Sequence, residues 1–264
     1  MYQWNPEDYA LHSAPQERMA REMLDQLELH ANDSVLDIGC GDGRHTAVIA
    51  ARVPQGRVVG MDISPDMVRY ANKCFPPIDY PNLRFQLRDA SALGFFSEFS
   101  VVFSNSVLHW ITDHSPVIAG IAKALLPGGR CRLQLSGRGN FAEVRAACDH
   151  VAQEEPWRSA FVGFSLGISF HGPEQYQELL TAAGLIPEDV SLSERDEVFP
   201  SREAFVGFWR NVAHPYTSRI SSEKRALFIE TVVDNYLTKR PAGRDGGISV
   251  ATKRLYVKAQ KPTQ

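Results

Sequence analysis

The stretch from Val35 to Thr46, VLDIGCGDGRHT, holds the residues best placed to do chemistry. An apolar run carries Asp37 near its end, Gly39, Gly41 and Gly43 follow in alternation, and helix-forming residues begin at Arg44. Glycine suits a point where the backbone turns sharply and must let a ligand approach with no Cβ in the way. The helix start behind the loop adds N–H groups and the positive end of a dipole, which suit an anionic ligand group. Asp37, just inside the strand end, can orient the loop and accept from an ammonium group. Asp62 ends the next apolar run, about 20 residues after the loop, where an acid can accept from both ribose hydroxyls. Asp89-Ala90 follows a third such run, where a carboxylate can accept from an adenine amino group. Singly, each aspartate could be a turn former and each glycine a packing residue. In this order the set points to a bound nucleoside.

The elements that must position these residues alternate between short apolar strands and amphipathic helices, the pattern of a mostly parallel sheet covered on both faces. Met19, Met23 and Leu27 give a first helix its apolar stripe. Strands are expected at 34–38, 57–62, 83–87 and 99–105, and a fifth at 131–135 after a Pro127-Gly128-Gly129 turn. Ser64-Pro65 and Ser115-Pro116 read as helix starts, with proline in the first turn. His114 stands where it could cap the second of these. After Gly137 the pattern changes. Helices are expected at 174–183, 202–212 and 222–239, a strand at 189–198, and a last strand at 253–261 that rejoins the sheet. This predicts a cofactor-binding core over residues 1–136, with 137–264 supplying the remaining core strands and an inserted helical lid.

The length of 264 residues and 44% apolar content allow one sizeable core and a small second lobe. A net charge of −3 gives no electrostatic reason to expect nucleic acid or an anionic membrane as partner. No apolar run approaches the roughly 20 residues of a bilayer-spanning helix. The polar start MYQWNPEDYA lacks the regions of a signal peptide. Cys40, Cys74, Cys131 and Cys148 are scattered, so a reduced, cytoplasmic protein is expected. His109, Asp113 and His114 lack a third ligand of suitable spacing, and no metal is expected.

With these motifs, residues 30–136 resemble the class I S-adenosylmethionine-dependent methyltransferases. The resemblance implies a Rossmann-like α/β fold, S-adenosylmethionine as cofactor, and a glycine loop that holds the methionine end of that cofactor. It places Asp37, Gly39, Gly41, Asp62, Ile63, Asp89, Ala90 and Asn105 at the cofactor. Met67 could pack on the adenine or simply fill core. After the fourth strand the chain reads SNSVLHW from Ser104 to Trp110, without the Asn/Asp-Pro-Pro-aromatic segment of enzymes that methylate amide or base nitrogens. No Pro-Cys nucleophile of pyrimidine C5 methylation is present either. SNSVLHWITDH, WNPEDY at the start (with Trp4 and Tyr9), and SAPQERMAREML around Gln16 are similar to trans-aconitate methyltransferases and insect juvenile hormone acid methyltransferases. Those families esterify small carboxylic acids. The resemblance implies that Gln16 and Trp110 hold the acceptor carboxylate, with His109 beside them, and that the partner is a small acid rather than a nucleic acid or a membrane.

A carboxylate is a nucleophile at pH 7, so the lack of an obvious base is expected. A hydroxyl, amine or carbon acceptor is the alternative, with His109 or His214 as base. A cofactor-binding protein without activity is another. A nicotinamide oxidoreductase would need its third glycine one residue later. Phe161, Phe164, Phe170, Phe205, Phe208, Trp209 and Tyr216 could line an apolar pocket, but the lid's own core is the plainer reading for most. Arg210 and His214, four apart, could meet a second acidic group or form a solvated face.

Overall fold

The computed structural model describes residues 14–263. The chain falls into two compact units, one of residues up to Arg138 with Ser169–Ser193 and Arg254 onward, the other of Gly139–Ile168 and Glu194–Lys253.

The chain forms one sheet of seven strands in the order β3-β2-β1-β4-β5-β7-β6, of which β1 to β5 belong wholly to the first unit and β6 and β7 in part. These are β1 (Ser34–Ile38), β2 (Arg57–Asp62), β3 (Leu83–Leu87), β4 (Phe99–Asn105), β5 (Leu125–Ser136), β6 (Ile186–Phe199) and β7 (Ile248–Gln260). The strands from β1 to β5 pair in parallel, and β7 returns antiparallel to β5 with Ser136 opposite Arg254. Parallel strands covered on both faces read as unbroken apolar runs, which is why Val35, Leu36 and Ile38 are all fully buried. Leu36 and Ile38 join Ile118 and Ile121 of α4 (Ser115–Ala124) in one core. Val35 joins Ile49 and Ala50 of α2 (Arg44–Arg52) in another. The stripe of α1 (Ala14–Asp25) behaves as its spacing demands, with Met19, Met23 and Leu27 buried. Ser64 caps α3 (Pro65–Cys74), its hydroxyl accepting from Met67 N–H at 3.3 Å. Helix α6 (Pro173–Ala182) completes this unit and buries Tyr176 and Leu180 in the first core. The topology is that of a Rossmann-like methyltransferase sheet.

Three expectations need correction. Pro127-Gly128-Gly129 is no turn before β5 but lies inside it, where the pairing with β4 shifts register between Phe99 and Val101. Gly128, at φ +75, absorbs that irregularity. The last strand begins at Ile248, earlier than its charged end suggested. His114 occupies the N-cap position of α4 without capping it. Asp113 does so in its place, accepting from Ser115 N–H at 2.9 Å.

The second unit is a helical cluster. Helix α5 (Ala142–Ala152), which the glycine- and aromatic-rich sequence around it concealed, buries Val144, Ala147, Cys148 and Val151. Helix α9 (Ser222–Lys239) buries Phe228, Ile229, Val232 and Val233 in the same cluster. Phe205, Phe208 and Trp209 of α7 (Arg202–Val212) and Tyr216 of α8 (His214–Thr217) fill it, with Phe161 and Phe164 packed against it. Phe170 belongs to the first unit. Arg210 and His214 stand on different helices, because α7 ends at Val212, and Arg210 is exposed. No helix among the described residues is long and apolar enough to cross a membrane.

Candidate active site

The glycine loop is tied to the end of the neighbouring strand. Gly39 and Cys40 both donate backbone N–H to the Met61 carbonyl, at 2.7 and 2.9 Å. Gly41 donates to Asp62 Oδ2 at 3.0 Å, and Ser64 donates to Asp62 Oδ1 at 2.9 Å. The carboxylate foreseen as a ribose acceptor therefore also staples the loop to β2. The glycines divide their labour. Gly39, at φ +75, lies so near Val107 that an added Cβ would stand 2.3 Å from its Cγ2. Gly41, at φ +55, would place a Cβ within 4 Å of no protein atom, so its face is the approach open to a ligand. Gly43 makes room for the Phe85 ring, a packing role.

Asp37 is buried on β1 and accepts from Thr46 Oγ1 at 2.6 Å. Burial pushes its carboxyl up to about 7 against the Thr46 hydrogen bond, and the nearby Asp62 charge adds to the rise. Burial raises Asp62 as well, against the backbone N–H groups of Ser64, Gly41 and Ile63. A buried carboxyl and a half-buried one whose charge raises it form a place suited to a cation. Asn105, at the end of β4, keeps a buried Oδ1 without a hydrogen-bond partner, a further acceptor at the same sheet end.

Beside Asp62, Ile63 is 45% exposed, and Leu87, which pairs with Asp62 at the end of β3, is 57% exposed. Apolar side chains at adjacent strand ends suit the faces of a base. Asp89 is exposed and accepts from Ser91 N–H at 2.8 Å, at the head of a short 3-10 turn whose Ala90 is buried. Met67 is buried on α3. An ammonium toward Asp37 and Asn105, a ribose toward Asp62 and a base toward Ile63 and Asp89 match what S-adenosylmethionine presents, and these residues fit that cofactor. No group of three or more His, Cys, Asp or Glu that could hold a metal occurs among the described residues.

The acceptor candidates lie in the turn after β4. His109 and Trp110 are on a 3-10 turn (Leu108–Trp110), their rings 5.2 Å apart. His109 is buried, and its Nδ1 accepts from Ser136 N–H at 3.3 Å. Burial, then the charges of Arg254 and His114, hold the ring down at about 3. It is therefore neutral at working pH, and its proton sits on Nε2. His114 is a core residue: Tyr176 hydroxyl meets its Nδ1 and the Ile111 carbonyl its Nε2, both at 3.1 Å. Gln16 has its backbone on α1, but its side chain, like Trp4 and Tyr9, lies outside the described residues. Thr46, Ser136 and Arg254 were not foreseen as part of the site. Thr46 was legible as the end of the glycine motif. Ser136 and Arg254 meet only through the β5–β7 register, which no local pattern discloses.

Residues 35–129 match the family described as Methyltransferase domain. The fold resembles that of geranyl diphosphate C-methyltransferase from Streptomyces coelicolor, solved with S-adenosyl-L-homocysteine, at a TM-score of 0.56 and 15% identity over 93% of this chain and 79% of that one. Fold, site and family match define an S-adenosylmethionine-dependent methyltransferase of class I. The trans-aconitate 2-methyltransferase of Methylobacterium radiotolerans is 30% identical over 267 residues, spanning 99% of both chains. That of Azoarcus sp. is 31% identical, over 97% of this chain and 98% of its own length. The chain belongs to the family of the trans-aconitate 2-methyltransferases.

Proposed function

We propose that this enzyme methylates a carboxylate oxygen of a small acid, giving a methyl ester. The observation that carries the reading is the state of His109. Its Nδ1 is filled by the Ser136 N–H and its ring stays neutral, so the nitrogen left to meet an acceptor is a donor, not a base. A hydroxyl or amine acceptor has to lose a proton in the reaction. A carboxylate is ionised well below pH 7 and needs only to be held and stripped of water. The end-to-end likeness to trans-aconitate 2-methyltransferases, enzymes named for an acid, supports the same class of acceptor.

When bound, S-adenosylmethionine supplies a methyl group on a sulfonium, whose departure as a thioether calls for no proton. The chain's own task is then placement. Asp37 and Asn105 hold the ammonium, Asp62 the ribose, and Ile63, Asp89 and Ala90 the base. Gly41 gives the open face of the loop. Gln16 and Trp110 hold the accepting carboxylate, with His109 Nε2–H beside them. A cytoplasmic setting accords with the four cysteines, all free thiols.

The test is incubation with methyl-labelled S-adenosylmethionine and a panel of mono-, di- and tricarboxylic acids, counting label in base-labile ester. Ester formed with at least one acid is the expected result. Label that appears only with hydroxyl or amine acceptors would sink the reading.

A further inference from the structure

We propose that Gln134 is a positioning residue of the cofactor site: its side-chain amide holds Ser106 in a left-handed bend, and that bend sets Asn105 and Val107 against the cofactor. This rests on the reading that the ends of β1 and β4 hold S-adenosylmethionine, and adds to it a residue that touches no ligand. Gln134 lies on β5 and is fully buried, as are Leu133 and Leu135 on either side of it. Its Oε1 accepts from Ser106 Oγ at 3.0 Å, and its Nε2 donates to the Met19 thioether of α1 at 3.8 Å. A buried amide loses its water, and a hydroxyl and a sulfur are modest compensation for it. An apolar side chain of the same length would fill the space at less cost, so the amide in this place calls for a function.

A second cost lies in the backbone it touches. Ser106 takes φ +59, in the left-handed region that serine rarely adopts. Such strain persists where the surroundings over-determine it, and it collects at ligand clamps. Gln134 supplies two of the ties here: Ser106 N–H donates to its carbonyl at 2.8 Å, and the Ser106 hydroxyl to its amide oxygen. The strained residue has the site on both sides. Before it, Asn105 stands opposite Gln134 in the β4–β5 register, so the two side chains leave the sheet on one face, and Asn105 Oδ1 is buried without a hydrogen-bond partner. After it, Val107 presses on the glycine loop so closely that Gly39 has no room for a Cβ. A turn released from Gln134 relaxes Ser106 to a negative φ, which swings Val107 off Gly39 and frees the end of β4.

The experiment is calorimetry with S-adenosylhomocysteine, which needs no acceptor, on wild type, Gln134→Met, Ser106→Ala, Ser106→Gly and the double variant of Gln134→Met with Ser106→Gly. Gln134→Met keeps the length and removes the amide, while Ser106→Ala keeps the strain and removes the hydroxyl. Each is expected to weaken binding at least about fivefold. Glycine takes a left-handed φ freely, so the double variant has lost both the tie and the need for it, and should return to within about threefold of wild type. A glutamine that merely fills the core would show no such rescue. Unchanged binding in Gln134→Met, or a double variant no tighter than Gln134→Met, would overturn the assignment. Should Gln134→Met not fold, a Ser106→Ala that binds as tightly as wild type, or no more weakly than Ser106→Gly, overturns it equally. Asn105→Ala binding as tightly as wild type removes the placement of the cofactor on β4 and the proposal with it. A silent Gln134→Met beside a weakened Asn105→Ala strikes Gln134 alone.

Discussion

The ends of β1 and β2 and the ends of β4, β5 and β7 face the same side of one sheet, yet they carry opposite electrostatics. On the first flank, burial pushes two carboxyls upward, Asp37 to about 7 and Asp62 in the same direction. On the second stand a neutral His109 held down at about 3, the Trp110 indole and the buried Arg254. One flank suits a cation, and the other holds a histidine that stays neutral. The contrast teaches that burial acts as a charge selector here: the same loss of water makes acids want a cationic ligand and keeps a histidine from behaving as a base.

The contrast breaks most sharply at Gly39. Gly39→Ala puts a Cβ 2.3 Å from Val107 at a φ of +75, so the loop or Val107 must move. Cofactor affinity, read by calorimetry with S-adenosylhomocysteine, should fall at least ~100-fold, with a left-handed φ alone costing about 1–2 kcal/mol. Val107→Ala added to it should recover part of the loss. Gly41→Ala meets no protein atom but sets a methyl in the ligand's approach, so cofactor affinity should fall about tenfold or more while the free protein loses less stability to urea than Gly39→Ala does. Equal losses of stability at the two glycines would contradict their separate roles.

Asp37→Asn comes next, with an expected loss of about 10- to 100-fold in cofactor affinity, or roughly 1.4–2.7 kcal/mol. Its pH signature is sharper than its size. A carboxyl at about 7 that must ionise to hold an ammonium gives up a proton on binding. Affinity in wild type should rise between pH 6 and 8 and level off above, with proton release visible as a dependence of the binding heat on buffer. Asp37→Asn should lose both, and an affinity independent of pH in wild type would rule out Asp37 as the ammonium's partner.

These two flanks were not equally legible in the sequence. The cofactor side is local: the glycine loop, Asp37, Asp62 and Asp89 all sit at strand ends whose apolar runs announce them, and Ser64 announced its helix. The acceptor side is assembled from distant segments. His109 could be named, but its tautomer depends on the Ser136 N–H, and Arg254 reaches it only because β7 turns back antiparallel. Arg254 and Leu255 are both buried where strand alternation would bury one, so periodicity gave no signal. Helix α5 was hidden for a related reason: its buried face is Val144, Ala147, Cys148 and Val151, of which only the valines look apolar enough to mark a stripe.

On the acceptor flank, Trp110→Phe removes an indole N–H while keeping most of the ring. It should raise KM for the acid about tenfold, near 1.4 kcal/mol, and leave cofactor affinity within twofold. At saturating cofactor, kcat should be flat from about pH 6 to 9, because His109 does not titrate there. A rise in kcat through the ordinary histidine range would make His109 a base and reverse the assignment of the two flanks.

The smallest effect tests both flanks at once, through stability without ligand. The folded pKa of Asp37 lies above its unfolded value of 3.8, so its contribution is present below 3.8 and is lost as pH rises toward 7. His109, His114 and His214 lie below their unfolded value of 6.5, at about 3, about 4 and about 4. Between those values and 6.5 the unfolded chain binds protons that the folded chain does not, and stability falls as pH falls. From pH 6.5 down to 5 the two trends oppose each other, each group contributing about 1–2 kcal/mol, and the three histidines outweigh the one carboxyl. Wild type without cofactor should therefore show a urea midpoint that falls with acid over that window. Asp37→Asn should be more stable than wild type at pH 7 and should lose stability more steeply with acid, because the opposing carboxyl is gone. Saturation with S-adenosylhomocysteine, which holds Asp37 ionised, should steepen the wild-type dependence in the same way. An Asp37→Asn curve no steeper than that of wild type would mean that the carboxyl is ionised in the free protein, and the cation-seeking character assigned to the first flank would be lost.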